Sequence, residues 1–166
     1  MIFLSVGSQM PFDRLVKAVD AWAQFRQPRI EILAQIGDSS YQPVALESVK
    51  TLSPAEFGAR LDACSLFVAH AGMGSVLSGL ERGKPMLLLP RLGALRETRN
   101  DHQVATLRWL SGIQGIYAAD DETAIPAFLD RFMDAALPAL PAPDHLAQTA
   151  SQLRLQSALR DFIAQA

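Results

Sequence analysis

The sequence predicts an α/β fold, a parallel sheet with helices on both faces, and three observations lead there. Short apolar runs of strand length alternate with helix-compatible stretches along the chain. The segment 66–75, Leu-Phe-Val-Ala-His-Ala-Gly-Met-Gly-Ser, carries an apolar run straight into a small, glycine-containing turn. Gly83, Lys84 and Pro85 then lead into another apolar run, Met86–Leu89, so the unit reads strand–turn–helix–strand. Strands alternating with helices form βαβ units, and right-handed crossovers distribute the helices over both faces.

Taken in order, the first strand is expected over 2–6. Phe12, Leu15, Val16, Val19, Trp22 and Ala23 then recur at a 3.6-residue period and mark one face of a helix. Strands follow over 30–36 and 49–52. Ser53-Pro54 opens a helix over 54–63, with serine as N-cap and proline at the first helical position. The fourth strand (66–69), a short helix (75–81) and the fifth strand (86–89) make the unit above. A helix over 102–110 has Val104, Leu107 and Trp109 to bury, and a sixth strand lies at 114–117. Pro138, Pro141 and Pro143 break regular structure, after which 145–166 reads as one helix with Leu146, Leu153, Phe162 and Ile163 apolar. The chain thus divides into a domain over 1–135, a proline-rich linker over 136–144 and a C-terminal helix over 145–166.

A length of 166 residues suits one domain. Hydrophobic residues make up 49% and charged ones 19%, an apolar balance for a chain whose longest apolar runs are only strand-sized. A membrane span needs roughly 20 residues, so the surplus points to a large core or a partner surface, with a homodimer as the simplest partner. The net charge of −2 gives no electrostatic case for nucleic acid. The single cysteine, Cys64, excludes an internal disulfide and reads as a small buried apolar residue. The first seven residues carry neither a basic leader nor a long apolar region, so a cytoplasmic protein is expected.

The turn at 70–75 is the candidate site. Open parallel sheets bind ligands at the carboxyl ends of their strands. A helix beginning between Met73 and Ser75 aims unpaired N–H groups and its positive dipole end there, and phosphate is the natural guest. Gly72 and Gly74 let the backbone approach a ligand, while Ser75 and His70 add hydrogen-bond donors. A tight turn before a structural helix is the plain alternative. His70, His102 and His145 are far apart and no DxD carboxylate pair precedes a suitable strand, so no metal is expected.

Four blocks in fixed order carry a family resemblance. They are Phe3-Leu4-Ser5-Val6-Gly7-Ser8; Gln35-Ile36-Gly37 with Tyr41 and Pro43; His70-Ala71-Gly72-Met73-Gly74-Ser75 with Gly83-Lys84-Pro85; and Asn100-Asp101-His102-Gln103. Over residues 1 to about 118 the chain resembles the glycosyltransferase family 28 C-terminal domain, the nucleotide-sugar-binding half of GT-B glycosyltransferases. Within the family it resembles single-domain members: the catalytic subunit of the two-subunit dolichol-pathway UDP-GlcNAc transferase, and bacterial exopolysaccharide glycosyltransferase subunits. The resemblance implies a Rossmann-like sheet forming one half of a GT-B fold, with a UDP-sugar as donor substrate and no cofactor. It implies that Gly7 and Ser8 approach donor or acceptor, and that His70, Gly72, Met73, Gly74 and Ser75 hold the diphosphate. The loop 52–55 would pack on uracil, and His102 and Gln103 would face the donor sugar.

One position departs from the family. Ser78 stands where relatives carry a glutamate that holds both ribose hydroxyls. A serine accepts more weakly and reaches less far, and Glu81, one turn on, replaces it imperfectly. The departure motivates a second expectation, a non-catalytic nucleotide-sugar-binding regulatory subunit.

Inverting sugar transfer needs a base within reach of the acceptor hydroxyl. Asp13 and His102 are the catalytic candidates, although a carboxylate at a helix start also satisfies the dipole and a histidine there can simply bond the loop. Arg91, Arg96 and Arg99 follow the fifth strand near the expected diphosphate, and each taken singly reads first as an exposed loop residue. A GT-B site lies between two domains and this chain supplies one. A membrane-attached acceptor-binding subunit is therefore expected, holding this chain at the inner face of the membrane. The expected activity is hexose or uronic acid transfer to a lipid-linked acceptor in exopolysaccharide or glycolipid synthesis. A Rossmann-like oxidoreductase is disfavoured, since the Gly7-Ser8 turn lacks the G-x-G-x-x-G spacing.

Overall fold

The computed structural model describes residues 1–134. The expected linker over 136–144 and helix over 145–166 lie outside the described residues. Six strands form one parallel sheet: β1 (Ile2–Ser5), β2 (Ile32–Gln35), β3 (Glu47–Val49), β4 (Leu66–His70), β5 (Met86–Leu89) and β6 (Ile116–Ala118). The order across the sheet is β3-β2-β1-β4-β5-β6. The chain builds outward from β1 to β3, then returns beside β1 and builds the other way. That reversal creates a crevice past the carboxyl ends of β1 and β4, where such sheets bind ligands.

Alternation along the strands feeds two cores. Ile2, Leu4 and Val6 pack with Leu15, Val16, Val19 and Trp22 of α1 (Asp13–Gln24) and with Ile125 and Leu129 of α5 (Ile125–Met133). Phe3, Phe67 and Leu88 face the opposite way, onto α2 (Pro54–Ala63), α3 (Met73–Glu81) and α4 (His102–Leu110). A parallel sheet buried on both faces needs largely apolar strands, and β1, β2, β4 and β5 are apolar up to their carboxyl ends, where Ser5, Gln35 and His70 turn polar. Helix α3 sits tightly on the sheet because a Cβ at Gly79 would lie 3.0 Å from Met86 Cγ. Cys64 is 3% exposed, its thiol donates to the Leu61 carbonyl at 3.2 Å, and burial pushes its pKa up to about 11.

Helices α2 and α4 match the expected spans. At α2 the Ser53 hydroxyl accepts from the Glu56 N–H while Glu56 reaches back to the Ser53 N–H, a complete capping box. The third strand is a correction. It runs over Glu47–Val49 rather than 49–52, and pairs Leu33 with Glu47 and Gln35 with Val49. The register of β2 decides this: beyond Val49 the ladder gives only the Gly37 N–H to Lys50 carbonyl bond before Ser53 starts α2. The sixth strand, by contrast, lies later than expected, at Ile116–Ala118 rather than 114–117, because Gly115 at φ +84 turns the chain into it. Helix α5 was not anticipated, although Ile125, Phe128, Leu129 and Phe132 keep the helical period.

Candidate functional site

The crevice holds a cleft of about 560 Å³. Gly7 and Ser8 enter it from the β1–α1 loop, His70 from the end of β4, and Gly72, Met73, Gly74, Ser75 and Ser78 from the turn and first turns of α3. Gln103 enters from α4. All nine residues expected to bind the donor line this one cleft.

The start of α3 is built for an anion. Its N-cap is Gly72, and no side chain caps it. The first bond of the helix runs from the Val76 N–H to the Gly72 carbonyl at 3.1 Å. The Met73, Gly74 and Ser75 amides consequently have no acceptor among the described residues. They sit at the positive end of the helix dipole, where anions are stabilised. Space above them is open, since a Cβ at Gly74 would meet nothing within 4 Å.

The ring of His70 is clamped between two glycines. A Cβ at Gly7 would lie 2.7 Å from His70 Cε1, and one at Gly72 would lie 2.6 Å from His70 Cδ2. Gly7 also holds φ +80, a conformation side chains resist. Ser75 Oγ stands 3.4 Å from His70 Nδ1. Burial, reinforced by the Arg91 charge, lowers the His70 pKa to about 4 against a hydrogen bond with the Ser5 backbone. His70 is therefore neutral at pH 7 and offers hydrogen bonding without charge.

Arg91 is a correction. Instead of standing exposed on a loop it is 4% exposed and lines the cleft. Its guanidinium donates to four backbone carbonyls: Val6 at 2.6 Å, Met10 at 2.6 Å, Pro11 at 2.7 Å and Glu97 at 3.0 Å. It also stacks 4.7 Å from the Phe12 ring centroid. Carbonyl partners hold the group but leave its positive charge in place, and burial pulls its pKa down. Arg96 and Arg99 are exposed, as expected. Nothing in the sequence separated Arg91 from Arg96 and Arg99 except its place one residue beyond Pro90, close to the end of β5.

Gln103 Oε1 accepts the Arg91 N–H at 3.1 Å. Ser78 donates its hydroxyl to the Gly74 carbonyl at 2.8 Å, which leaves it only lone pairs for a ligand. The expected uracil-packing loop 52–55 does not line the cleft; Phe57, one turn into α2, does. Leu52 is drawn down against the second core instead.

Neither catalytic candidate lies in the cleft. Asp13 accepts from Ser39 Oγ at 2.6 Å and from Ser40 Oγ. Burial works to raise its pKa, but these bonds and Lys17 outweigh it and leave it below the ordinary value. His102 is exposed at the start of α4, its N–H donating to Asn100 Oδ1 at 3.4 Å. The carboxylate that does line the cleft, Glu97, accepts two bonds from Arg14, at 2.9 and 2.8 Å, and one from the Leu92 N–H at 3.0 Å. Arg14 donates further to Glu122 and to the Pro90 carbonyl, each at 2.8 Å.

The profile of the glycosyltransferase family 28 C-terminal domain covers residues 1–123. The chain belongs to this family. Family 28 C-terminal domains are Rossmann-like halves of GT-B glycosyltransferases, and the sheet described above has that form. No curated protein matches the sequence. Among solved structures, the NMR structure of ALG13 is similar at 17% identity and a TM-score of 0.58, covering 85% of this chain and 89% of that one. The kitacinnamycin glycotransferase is similar at 22% identity and a TM-score of 0.57, covering 96% of this chain and 38% of its own. The spinosyn forosaminyltransferase SpnP gives 15% and 0.56, covering 80% and 35%. This family 28 domain thus spans less than two fifths of the last two chains, and the likeness to all three is one of fold. Among the described residues no helix is long and apolar enough to cross a membrane.

Proposed function

We propose that this chain is the donor-binding, catalytic subunit of a heteromeric inverting glycosyltransferase. It takes a hexose or uronic acid from UDP and passes it to a lipid-linked acceptor, in exopolysaccharide or glycolipid synthesis. The observation that carries the reading is the first turn of α3, with three backbone N–H groups lacking an acceptor among the described residues, at a positive helix end inside the cleft. Arg91 adds a buried positive charge to the same wall.

In the transfer, the acceptor oxygen bonds to the anomeric carbon on the face opposite UDP. The bond from that carbon to the β-phosphate oxygen breaks, and its electron pair leaves with UDP. Charge grows on the departing diphosphate, where fixed amides and a helix dipole stabilise it without reorganising. His70 and Ser75 supply hydrogen bonding at this point. The acceptor proton goes to a base. Since Glu97 is tied to Arg14, and Asp13 and His102 stand outside the cleft, the base comes from a membrane-attached partner that closes the cleft and holds the acceptor. The chain itself works at the cytoplasmic face.

The lack of a free carboxylate in the cleft among the described residues favours one second reading, a non-catalytic module that binds a nucleotide sugar and regulates its partner. Calorimetric titration of the full chain with UDP tests the shared part: wild type binds, and Gly74→Trp, which fills the space over the amides, does not. Equal binding by both proteins refutes the donor site. Label from radioactive UDP-sugars moving into lipid when the chain is added to partner-containing membranes selects the enzyme, and UDP binding without transfer selects the regulator.

A further inference from the structure

One polar side chain in the cleft has no task in the donor site as described. Gln35 ends β2, is 6% exposed and lines the cleft. Strand alternation turns it onto the face of Leu33, the side that carries Phe57 and α3. Its Oε1 accepts from Ser5 Oγ at 3.1 Å, and that hydroxyl in turn accepts the Gly7 N–H at 3.2 Å. This chain of bonds orients the amide with its oxygen bound and its nitrogen turned away from Ser5. Among the described residues no protein group accepts from Gln35 Nε2, and this nitrogen is not sealed inside the protein, as Arg26 Nε is. An NH2 group that opens into the cleft without a protein partner is available to donate to whatever occupies it, and the fixed oxygen sets the direction of that donation.

We infer that Gln35 reads the nucleobase, donating from Nε2 to the 4-carbonyl of a uracil-type base laid against Phe57. The inference rests on the donor site proposed above. A diphosphate on the α3 amides sends its two substituents opposite ways along the carboxyl edge of the sheet. Gln35 lies two strands from His70 across β1, roughly 9.5 Å at the usual strand spacing, and the 4-position is the part of a pyrimidine farthest from the ribose. Phe57 makes that side the one suited to a flat ring: it lines the cleft and packs 5.3 Å from Phe3, two residues before Ser5. Stacking on an aromatic tolerates any base. A fixed donor does not, because uracil presents a carbonyl at position 4 and cytosine presents an amino group that is itself a donor.

The test titrates full-length wild type, Gln35→Leu and Gln35→Glu with UDP, CDP and inorganic pyrophosphate, after thermal melts establish that each variant is folded. Wild type is expected to prefer UDP to CDP by about tenfold, the worth of a hydrogen bond made against one forbidden. In Gln35→Leu the ratio falls to near one while pyrophosphate affinity is unchanged. Gln35→Glu still accepts from Ser5 but exchanges the donor for an acceptor, so its ratio shifts toward CDP, and this isosteric variant decides the matter if Gln35→Leu misfolds. A UDP-to-CDP ratio equal to wild type in the folded variants overturns the inference and spares the donor site. So does a loss of pyrophosphate affinity in Gln35→Leu as large as the loss for UDP. Wild type that binds neither nucleotide nor pyrophosphate overturns the donor site and this inference together.

Discussion

Replacing Gly72 and Gly74 separately by alanine distinguishes a glycine required by packing from one required by the ligand. At Gly72 the new methyl would stand 2.6 Å from His70 Cδ2, and the ring cannot retreat because Gly7 already faces Cε1 from the other side. Overpacking of this kind costs about 1–3 kcal/mol. Alanine also restricts the unfolded chain and returns about 0.4–1 kcal/mol, so the middle of the net range is a loss of about 1–2 kcal/mol. For a chain of 166 residues that lowers the melting temperature by about 2–8 °C. At Gly74 the methyl meets nothing within 4 Å, and alanine is the better helix former by up to about 1 kcal/mol. Gly74→Ala should therefore melt at or slightly above wild type. Differential scanning calorimetry of the three proteins in one buffer reads both effects. If Gly72→Ala melts as high as wild type, the His70 ring is not clamped and the account of the turn is wrong.

Arg91→Met removes the donor from four carbonyls at once and should lower stability by about 2–4 kcal/mol in urea titration, since each buried carbonyl left unpaired costs about 1–3 kcal/mol and water can reach those at the cleft. An effect below about 1 kcal/mol would mean that water replaces the guanidinium freely. Acid should weaken the fold through His70: its native pKa is about 4 against an ordinary 6.5, so the unfolded chain takes the proton first as pH falls. Stability is full above pH 6.5 and declines between there and pH 4, by on the order of 3 kcal/mol. His70→Gln should flatten that part of the urea-midpoint profile. Cys64, with its thiol buried and its pKa near 11, should react with a disulfide reagent at pH 8 only as fast as the protein unfolds. A stoichiometric burst within seconds would refute its burial.

Much of the fold was legible because its signals are local. The Ser53-Pro54 pair fixes the start of α2 through a side-chain bond to Glu56 three residues away, and the glycine turn after β4 places α3. What was not legible depends on residues far apart in the chain. Arg91 looks like any loop arginine until Val6, Met10 and Pro11, more than 75 positions earlier, close around it. Asp13 makes a sensible base at a helix start until Ser39 and Ser40 fold over it. The offset of β3 has the same origin, since its register is imposed by β2 rather than by its own apolar run. Helix α5 is different: Ile125, Phe128, Leu129 and Phe132 carry its period within the segment itself, and Pro126 suits a helix start.

The two outermost strands, β3 and β6, are each three residues long, and Glu47 begins β3 with an exposed carboxylate. So brief a ladder offers another chain few main-chain bonds, and a charge at its border discourages docking there. Continuing the sheet into a second molecule is thus disfavoured by construction. Side chains on the helices and crest loops of the described residues offer a partner more than these edges do, which lets recognition evolve without the hazard of fibril-like stacking.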